Sequence, residues 1–198
     1  MIISVNPQNP QGRLIQKVAD ILAQGGVIAY PTDTQYGLGC DLGQKKAIEK
    51  IYRLKKRSFK VPFSVICADL THIAEYARVS NFAYRTMKRL LPGPFTFVLP
   101  GSRLMPKIML SKRQECGIRV PGHPIALGLV QALGRPLINT SARLPEKPLP
   151  LGAQDVVDLF GGELDAVIDG GPVPGQPSTL VSLIDDEPVI LRQGLGVF

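Results

Sequence analysis

Apolar residues fall into two spacings along the chain, and the switching between them predicts alternating helices and short strands. Asn9-Pro10 has the form of an N-cap followed by a first-turn proline; Leu14, Val18, Ile21 and Leu22 then recur at helical spacing until Gly25-Gly26. Residues 27–30 are continuously apolar and too few for a helix, so they read as a buried strand ended by Pro31, with 32–39 as a loop. Asp41 and Gln44 have the spacing of a capping box for a second helix, with Ala47, Ile48, Ile51 and Leu54 inward. A strand over 63–67, a helix from Ser80 to Leu91 and the breaker Pro92-Gly93-Pro94 follow. Strands over 95–99 and 117–120, a helix over 125–133 stopped by Gly134, and a strand over 137–140 come next. A helix ends with 156–160, and late strands over 180–184 and 189–191 flank the turn Asp185-Asp186-Glu187-Pro188. The order predicts an α/β fold built on a mixed sheet, with antiparallel pairs near the C-terminus. No internal repeat is visible, residues 145–150 are the best candidate for a mobile loop, and 1–198 reads as one domain.

Composition sharpens this picture in three ways. At 44% hydrophobic the chain can bury a sizeable core, and its 20 Gly and 18 Pro fall between apolar runs as punctuation. No apolar run approaches the roughly 18 residues of a membrane span, and residues 1–6 lack the pattern of a signal peptide. Cys40, Cys67 and Cys116 are odd in number and scattered, which argues against a disulfide framework or structural zinc; a cytoplasmic protein is expected.

The net charge of +7 is local. Lys45, Lys46, Lys50, Arg53, Lys55, Lys56, Arg57 and Lys60 lie within 16 residues with Glu49 as the sole acid there, and the rest of the chain balances. Such a patch suits polyanions, although a solvated helix face has the same pattern.

Candidate chemistry gathers in five places. Pro31-Thr32-Asp33-Thr34-Gln35-Tyr36-Gly37-Leu38-Gly39 follows a strand directly, where ligand loops are common, and is also compatible with an ordinary turn. Lys55 and Arg57 do not share a helix face, but past a helix end they can converge on one phosphate. Asn139-Thr140-Ser141-Ala142-Arg143 offers hydroxyls and amides at a strand end. Arg119 stands before Pro121 at the end of a strand, and Ser178-Thr179 precede Arg192 by about one hairpin. His72 and His123 are too few and too distant for a metal motif, and no nucleophile–base pattern is present. Cations and hydroxyls without a nucleophile suit the binding and positioning of phosphates.

In this order the segments resemble a known family. Pro31 to Gly39 resembles P-T-[DE]-T-x-Y-G-L-G; Lys55-x-Arg57 is similar to K-x-R; Pro92-Gly93-Pro94-Phe95-Thr96 to P-G-P-[LF]-T; Arg119-Val120-Pro121 to R-x-P. Ser141-Ala142 resembles the start of S-A-N, Ser178-Thr179-Leu180-Val181 S-T-[VLI]-V, and Arg192-x-Gly194 R-x-G. The chain is identified as a member of the YrdC-like family of threonylcarbamoyl-AMP synthases, most similar to its YciO branch. The resemblance implies a twisted open mixed sheet with flanking helices and a large basic cavity, without the C-terminal domain of the longer family form. It implies that ATP, L-threonine and bicarbonate give threonylcarbamoyl-AMP and pyrophosphate with Mg²⁺, for t6A modification of tRNA. It further implies Lys55 and Arg57 as catalytic residues; Thr34, Arg119 and Ser178 toward threonine; and Lys55, Arg57, Ser141 and Arg192 toward the nucleotide. Binding of double-stranded RNA or tRNA by Lys45, Lys46, Lys50, Arg53, Lys56 and Lys60, without synthase activity, is the alternative, and a pocket retaining only AMP is a third. The sequence departs from the family at Val61, Ile66, Glu115, Arg143 and Leu149, positions where polar or small residues are usual. Nothing in it sets an oligomeric state.

Overall fold

The computed structural model describes residues 1–198. Ten strands form one mixed sheet: β1 (Ile2–Ser4), β2 (Ile28–Tyr30), β3 (Gly37–Gly39), β4 (Ser64–Ile66), β5 (Phe95–Pro100), β6 (Glu115–Arg119), β7 (Leu137–Ser141), β8 (Ala166–Asp169), β9 (Thr179–Ser182) and β10 (Val189–Arg192). Their spatial order is β1-β8-β2-β3-β7-β4-β6-β5-β9-β10. The pairs β1/β8, β2/β8, β4/β6 and β5/β9 are parallel, and the rest are antiparallel, including β9/β10. Six helices flank the sheet: α1 (Gly12–Ala23), α2 (Lys45–Leu54), α3 (Leu70–Tyr76), α4 (Asn81–Leu90), α5 (Pro124–Leu133) and α6 (Ala153–Phe160).

Alternation along each strand divides the core in two. At β2, Ala29 and the preceding Val27 join the larger cluster of 35 buried residues, while Ile28 and Tyr30 join a cluster of 15 on the opposite face. The smaller cluster is covered by α1 and α5 through Ile15, Val18, Leu22, Ile125 and Leu129. Ile66 of β4 and Leu137 of β7, which pair with each other, belong to it. Farther along the same face the strand positions turn polar at Ser64, Arg119, Asn139 and Ser141.

Several expectations from the sequence are corrected. Residues 37–39 are not loop but strand β3, held between β2 and β7. A Cβ on Gly39 would lie 2.7 Å from both the Tyr30 ring and the Ile138 carbonyl; the glycines that disguise this strand are what allow the close approach. The Asp41/Gln44 capping box does not form. The Asp41 carboxylate accepts instead from the Gly43 amide at 2.8 Å and from the Arg135 guanidinium, and Gln44 caps α2 without a side-chain bond. The first helix is capped by Gln11, not Asn9. Strands β1 and β8 and helix α3 were not anticipated. Ser80 does cap α4, accepting from the Ala83 amide at 3.1 Å, and Gly134 ends α5 in the left-handed conformation at φ 68°. Residues 145–150 contain no regular element.

Candidate functional site

This polar part of the sheet face lines a cavity of about 430 Å³. Register fixes its layout. Ser64 of β4 pairs with Gly117 of β6 and with Asn139 of β7, and Gly117 pairs with Val98 of β5. Two residues along β6 on either side, on the same face, stand Arg119 and Glu115. Arg57, Arg119 and Arg192 line the cavity with Glu115, the only acid among the lining residues. Thr32, Thr34, Thr96, Ser111, Ser141 and Ser178 add hydroxyls.

Arg119 is 4% exposed. Its Nη2 donates to Asp33 Oδ1 at 2.5 Å and its Nη1 to Thr34 Oγ1 at 3.1 Å, while Nε has no protein acceptor. Asp33 Oδ2 also accepts from the Gly122 amide, so one carboxylate ties the Thr32–Tyr36 loop to the end of β6. The loop is braced from within. Thr32 Oγ1 accepts from the amides of Thr34 and Gln35 and lies 2.9 Å from Thr34 Oγ1. Burial pulls the Arg119 guanidinium below its ordinary range, and Asp33 opposes that shift. A buried guanidinium with an unpartnered donor beside a cavity has the chemistry to pair with a carboxylate or phosphate.

At the other wall, Arg192 crosses from β10 to donate through Nη2 to the Ser178 carbonyl at 2.8 Å and to Ser178 Oγ at 3.3 Å. Ser178 Oγ lies 2.8 Å from Thr96 Oγ1. This wall depends on Gly194. A Cβ there would lie 2.3 Å from the Pro177 carbonyl oxygen. Gly194 donates its amide to Thr179 Oγ1, and the Leu195 amide donates to Pro177.

Lys55, Lys56, Arg57, Ser141, Arg143 and Pro145 form an outer basin of about 440 Å³ that shares Arg57 and Ser141 with the cavity. Lys55 is the C-cap of α2 and Lys56 takes φ 48°, so the chain turns sharply and the two cations expected to converge, Lys55 and Arg57, face one basin. The Lys55 ammonium donates to the backbone carbonyls of Ser141, at 2.7 Å, and Arg143. Burial, with Arg57 and Arg143 nearby, lowers its pKa to about 8. Arg57 stacks over Phe63 at 5.2 Å, and Phe63 stacks on Tyr52.

Of the residues proposed from sequence, Thr34, Arg57, Arg119, Ser141, Ser178 and Arg192 meet in the cavity, and Lys55 meets them through the basin. The patch is less uniform than its charge count. Lys46, Arg53, Lys56 and Lys60 are exposed, but Lys50 pairs with Asp165 at 3.3 Å and Lys45 lies 3.9 Å from Glu49. Val61 lines the cavity mouth, whereas Ile66 is fully buried in the smaller cluster and does not line the cavity. Ser64, Thr96, Ser111 and Gly117 went unassigned from sequence; for Ser64, Thr96 and Gly117 only their same-face positions on neighbouring strands could reveal them, and Ser111 lies in the turn before β6. His123 does not line the cavity; burial lowers its pKa, and its Nδ1 is unpartnered. The three cysteines are free and buried, and burial raises each thiol pKa, which suits core filling. No group of three His, Cys, Asp or Glu could cage a metal ion, and no helix is long and apolar enough to cross a membrane.

The Sua5/YciO/YrdC family model, described as "Telomere recombination", matches residues 20–194. The chain belongs to the Sua5/YciO/YrdC family. The crystal structure of YciO from Escherichia coli, a protein of uncharacterized activity, superposes with a TM-score of 0.94 at 39% identity, over 100% of this chain and 97% of that one. The threonylcarbamoyl-AMP synthase of Pyrococcus abyssi is 34% identical over 182 residues, 91% of this chain but 54% of that protein. The structure of P. abyssi Sua5 complexed with L-threonine matches with a TM-score of 0.90 at 33% identity, over 98% of this chain and 57% of that one. The family thus includes synthases with an additional region, and the Sua5/YciO/YrdC fold carries the cavity here.

Proposed function

We propose that the cavity binds a nucleoside triphosphate beside an amino acid and forms a carbamoyl-adenylate of the threonylcarbamoyl-AMP type. The observation that carries this is Arg119: a buried guanidinium whose Nε has no protein partner, flanked by the Thr34 hydroxyl, lining a cavity that shares Arg57 and Ser141 with a cationic basin. In this reading Arg119 holds the carboxylate of L-threonine, and the hydroxyls of Thr34 and Ser178 contact its polar atoms. The threonine amine and bicarbonate give a carbamate and water. A carbamate oxygen then attacks the α-phosphorus of ATP, the bond to the β-phosphate oxygen breaks, and pyrophosphate leaves. Lys55, Arg57, Ser141 and Arg192 hold the phosphates, and Lys55 and Arg57 stabilise the charge that gathers on the leaving group. No side chain need act as nucleophile. Mg²⁺ enters on the triphosphate, because the chain offers no carboxylate cage of its own.

The test is mass spectrometry of the protein with ATP, bicarbonate, Mg²⁺ and L-threonine. Threonine-dependent threonylcarbamoyl-AMP supports the reading, and its absence from folded protein overturns it. Arg57 is exposed and touches little besides Phe63, so Arg57→Ala is expected to weaken ATP binding at least tenfold with an unchanged thermal midpoint. A second reading, binding of double-stranded RNA or tRNA, is favoured by one observation: Lys46, Arg53, Lys56 and Lys60 are exposed, and Lys56 lines the basic basin.

A further inference from the structure

Phe59 is a large apolar side chain in the basic loop that follows α2, and it is 53% exposed. The loop is ordered. The Val61 amide donates to the Ser58 carbonyl at 3.1 Å and the Lys60 amide to Ser58 Oγ at 3.2 Å, which makes Phe59 and Lys60 the central residues of a tight turn. The Phe59 ring is braced from beneath: its centroid lies 4.5 Å from that of the buried Tyr52, tilted by 44°. Tyr52 in turn stacks on Phe63 at 4.1 Å, and Arg57 lies over Phe63. Covering Tyr52 needs only an apolar side chain. It does not need a ring held half out of the surface.

Lys56, Arg57 and Lys60 are exposed in the same loop, and none is ion-paired: the ion-paired cations of the chain are Lys45, Lys50, Arg119 and Arg135. A second cationic segment adjoins. The Tyr52 hydroxyl lies 3.4 Å from the Val61 carbonyl oxygen and 3.5 Å from that of Ile108, so the Phe59 turn and the β5–β6 connection meet at one side chain. That connection carries Arg103, Lys107, Lys112 and Arg113, all exposed and without an ion pair, and no acid occurs from residue 78 to 114. Two unpaired cationic segments thus meet at Tyr52, the residue that braces the exposed ring.

Cations alone suit any polyanion, and the ring adds a condition. In a duplex each base pair has both faces covered by its neighbours, which leaves Phe59 nothing to stack on. An unpaired base offers a free face whatever its identity. Cations for the phosphates together with a ring for a base is the combination by which single strands are held. Resting on the RNA reading above, and independent of the adenylate reading, we infer that this surface binds an unpaired stretch of RNA, with a base stacked on Phe59 and phosphates on Lys56, Lys60, Lys112 and Arg113.

The experiment is equilibrium binding of three labelled probes to the full chain: an oligouridylate of about twelve nucleotides, an abasic oligomer of the same length, and an RNA duplex of that length. Phe59→Leu keeps an apolar cover on Tyr52 and removes the ring. It is expected to weaken the oligouridylate at least about fivefold while leaving the abasic oligomer and the duplex unchanged. Lys112→Glu with Arg113→Glu is expected to weaken all three probes severalfold. The chain has no Trp, so Phe59→Trp places a single indole at the turn. Its emission is expected to be quenched by the oligouridylate and not by the abasic oligomer. Oligouridylate binding that survives Phe59→Leu, an equal loss on the duplex, or a bound oligouridylate that leaves the Trp emission unchanged overturns the inference while leaving the RNA reading intact. Failure of all three probes to bind the folded protein overturns both.

Discussion

Replacing Asp33 with Asn tests whether the Arg119 end of the cavity is held by charge or merely by shape. The two side chains form an ion pair at 2.5 Å, with Arg119 4% and Asp33 14% exposed. Removing one partner of a buried pair costs about 3–5 kcal/mol, because the other charge stays desolvated and unpaired. Asn keeps one carbonyl oxygen, which can accept from Arg119 or from the Gly122 amide but cannot serve both without turning its own amino group toward a donor. The low end, about 3 kcal/mol, is therefore expected. For a chain of this size that corresponds to a fall of roughly 6–12 °C in Tm. Urea unfolding gives the free energy directly, with an unchanged slope showing that the same surface is exposed. Added phosphate should recover more stability in the variant than in the parent, since an anion can take the place of the lost carboxylate beside Arg119. A loss under about 1 kcal/mol refutes the reasoning, because that is the worth of a solvated surface pair.

Lys55 predicts a pH dependence of both stability and binding. Its ammonium is charged in the folded chain below about pH 8 and neutral above it, whereas the unfolded side chain keeps its proton to about 10.5. The unfolded state binds more protons between these values, so this group makes stability rise with pH across that window. Pyrophosphate affinity runs the opposite way, falling as pH passes 8, and Lys55→Arg should flatten that fall in a titration from pH 7 to 9.5. Gly194→Ala drives a methyl group into the Pro177 and Ser178 backbone; it should destabilise the fold by at least about 2 kcal/mol in urea unfolding and weaken nucleotide binding through the displaced Ser178–Arg192 wall. If double-stranded RNA binds through Lys46, Arg53, Lys56 and Lys60, four phosphate contacts give a log–log salt slope of about −3.6, roughly a 150-fold loss between about 50 and 200 mM salt. Lys46→Glu with Arg53→Glu should roughly halve that slope in a filter-binding series.

The helices and the longer strands were legible because their apolar spacing is self-contained. Ser80 and Gly134 announced their ends by local chemistry that no distant residue overrides. The Asp41 capping box failed because its carboxylate had a better partner, Arg135, 94 residues away. Strand β3 was hidden for a related reason. Gly37 and Gly39 look like turn residues until the Tyr30 ring and the Asn139 side chain are seen packed where their side chains would be. The motif residues Thr34, Arg57, Arg119, Ser141, Ser178 and Arg192 could be named from sequence, but their roles depend on a sheet order that scrambles chain order.

That scrambling has a consequence for how the site can change. Arg119 reaches Thr34 across 85 residues and Ser178 reaches Thr96 across 82, yet each contact lies within a few strands of the same sheet. Arg119 is locked by the Asp33 pair and cannot be exchanged without leaving a buried charge unpaired. Glu115 is held only by the Ser111 turn, at the open end of the same strand. The two ends of β6 are thus under different constraints: Arg119 is tied into the stability of the fold through Asp33, while Glu115, four residues before it, is held by a local turn. A chain can in this way keep the family's fold and its anchoring arginine and still change what it binds.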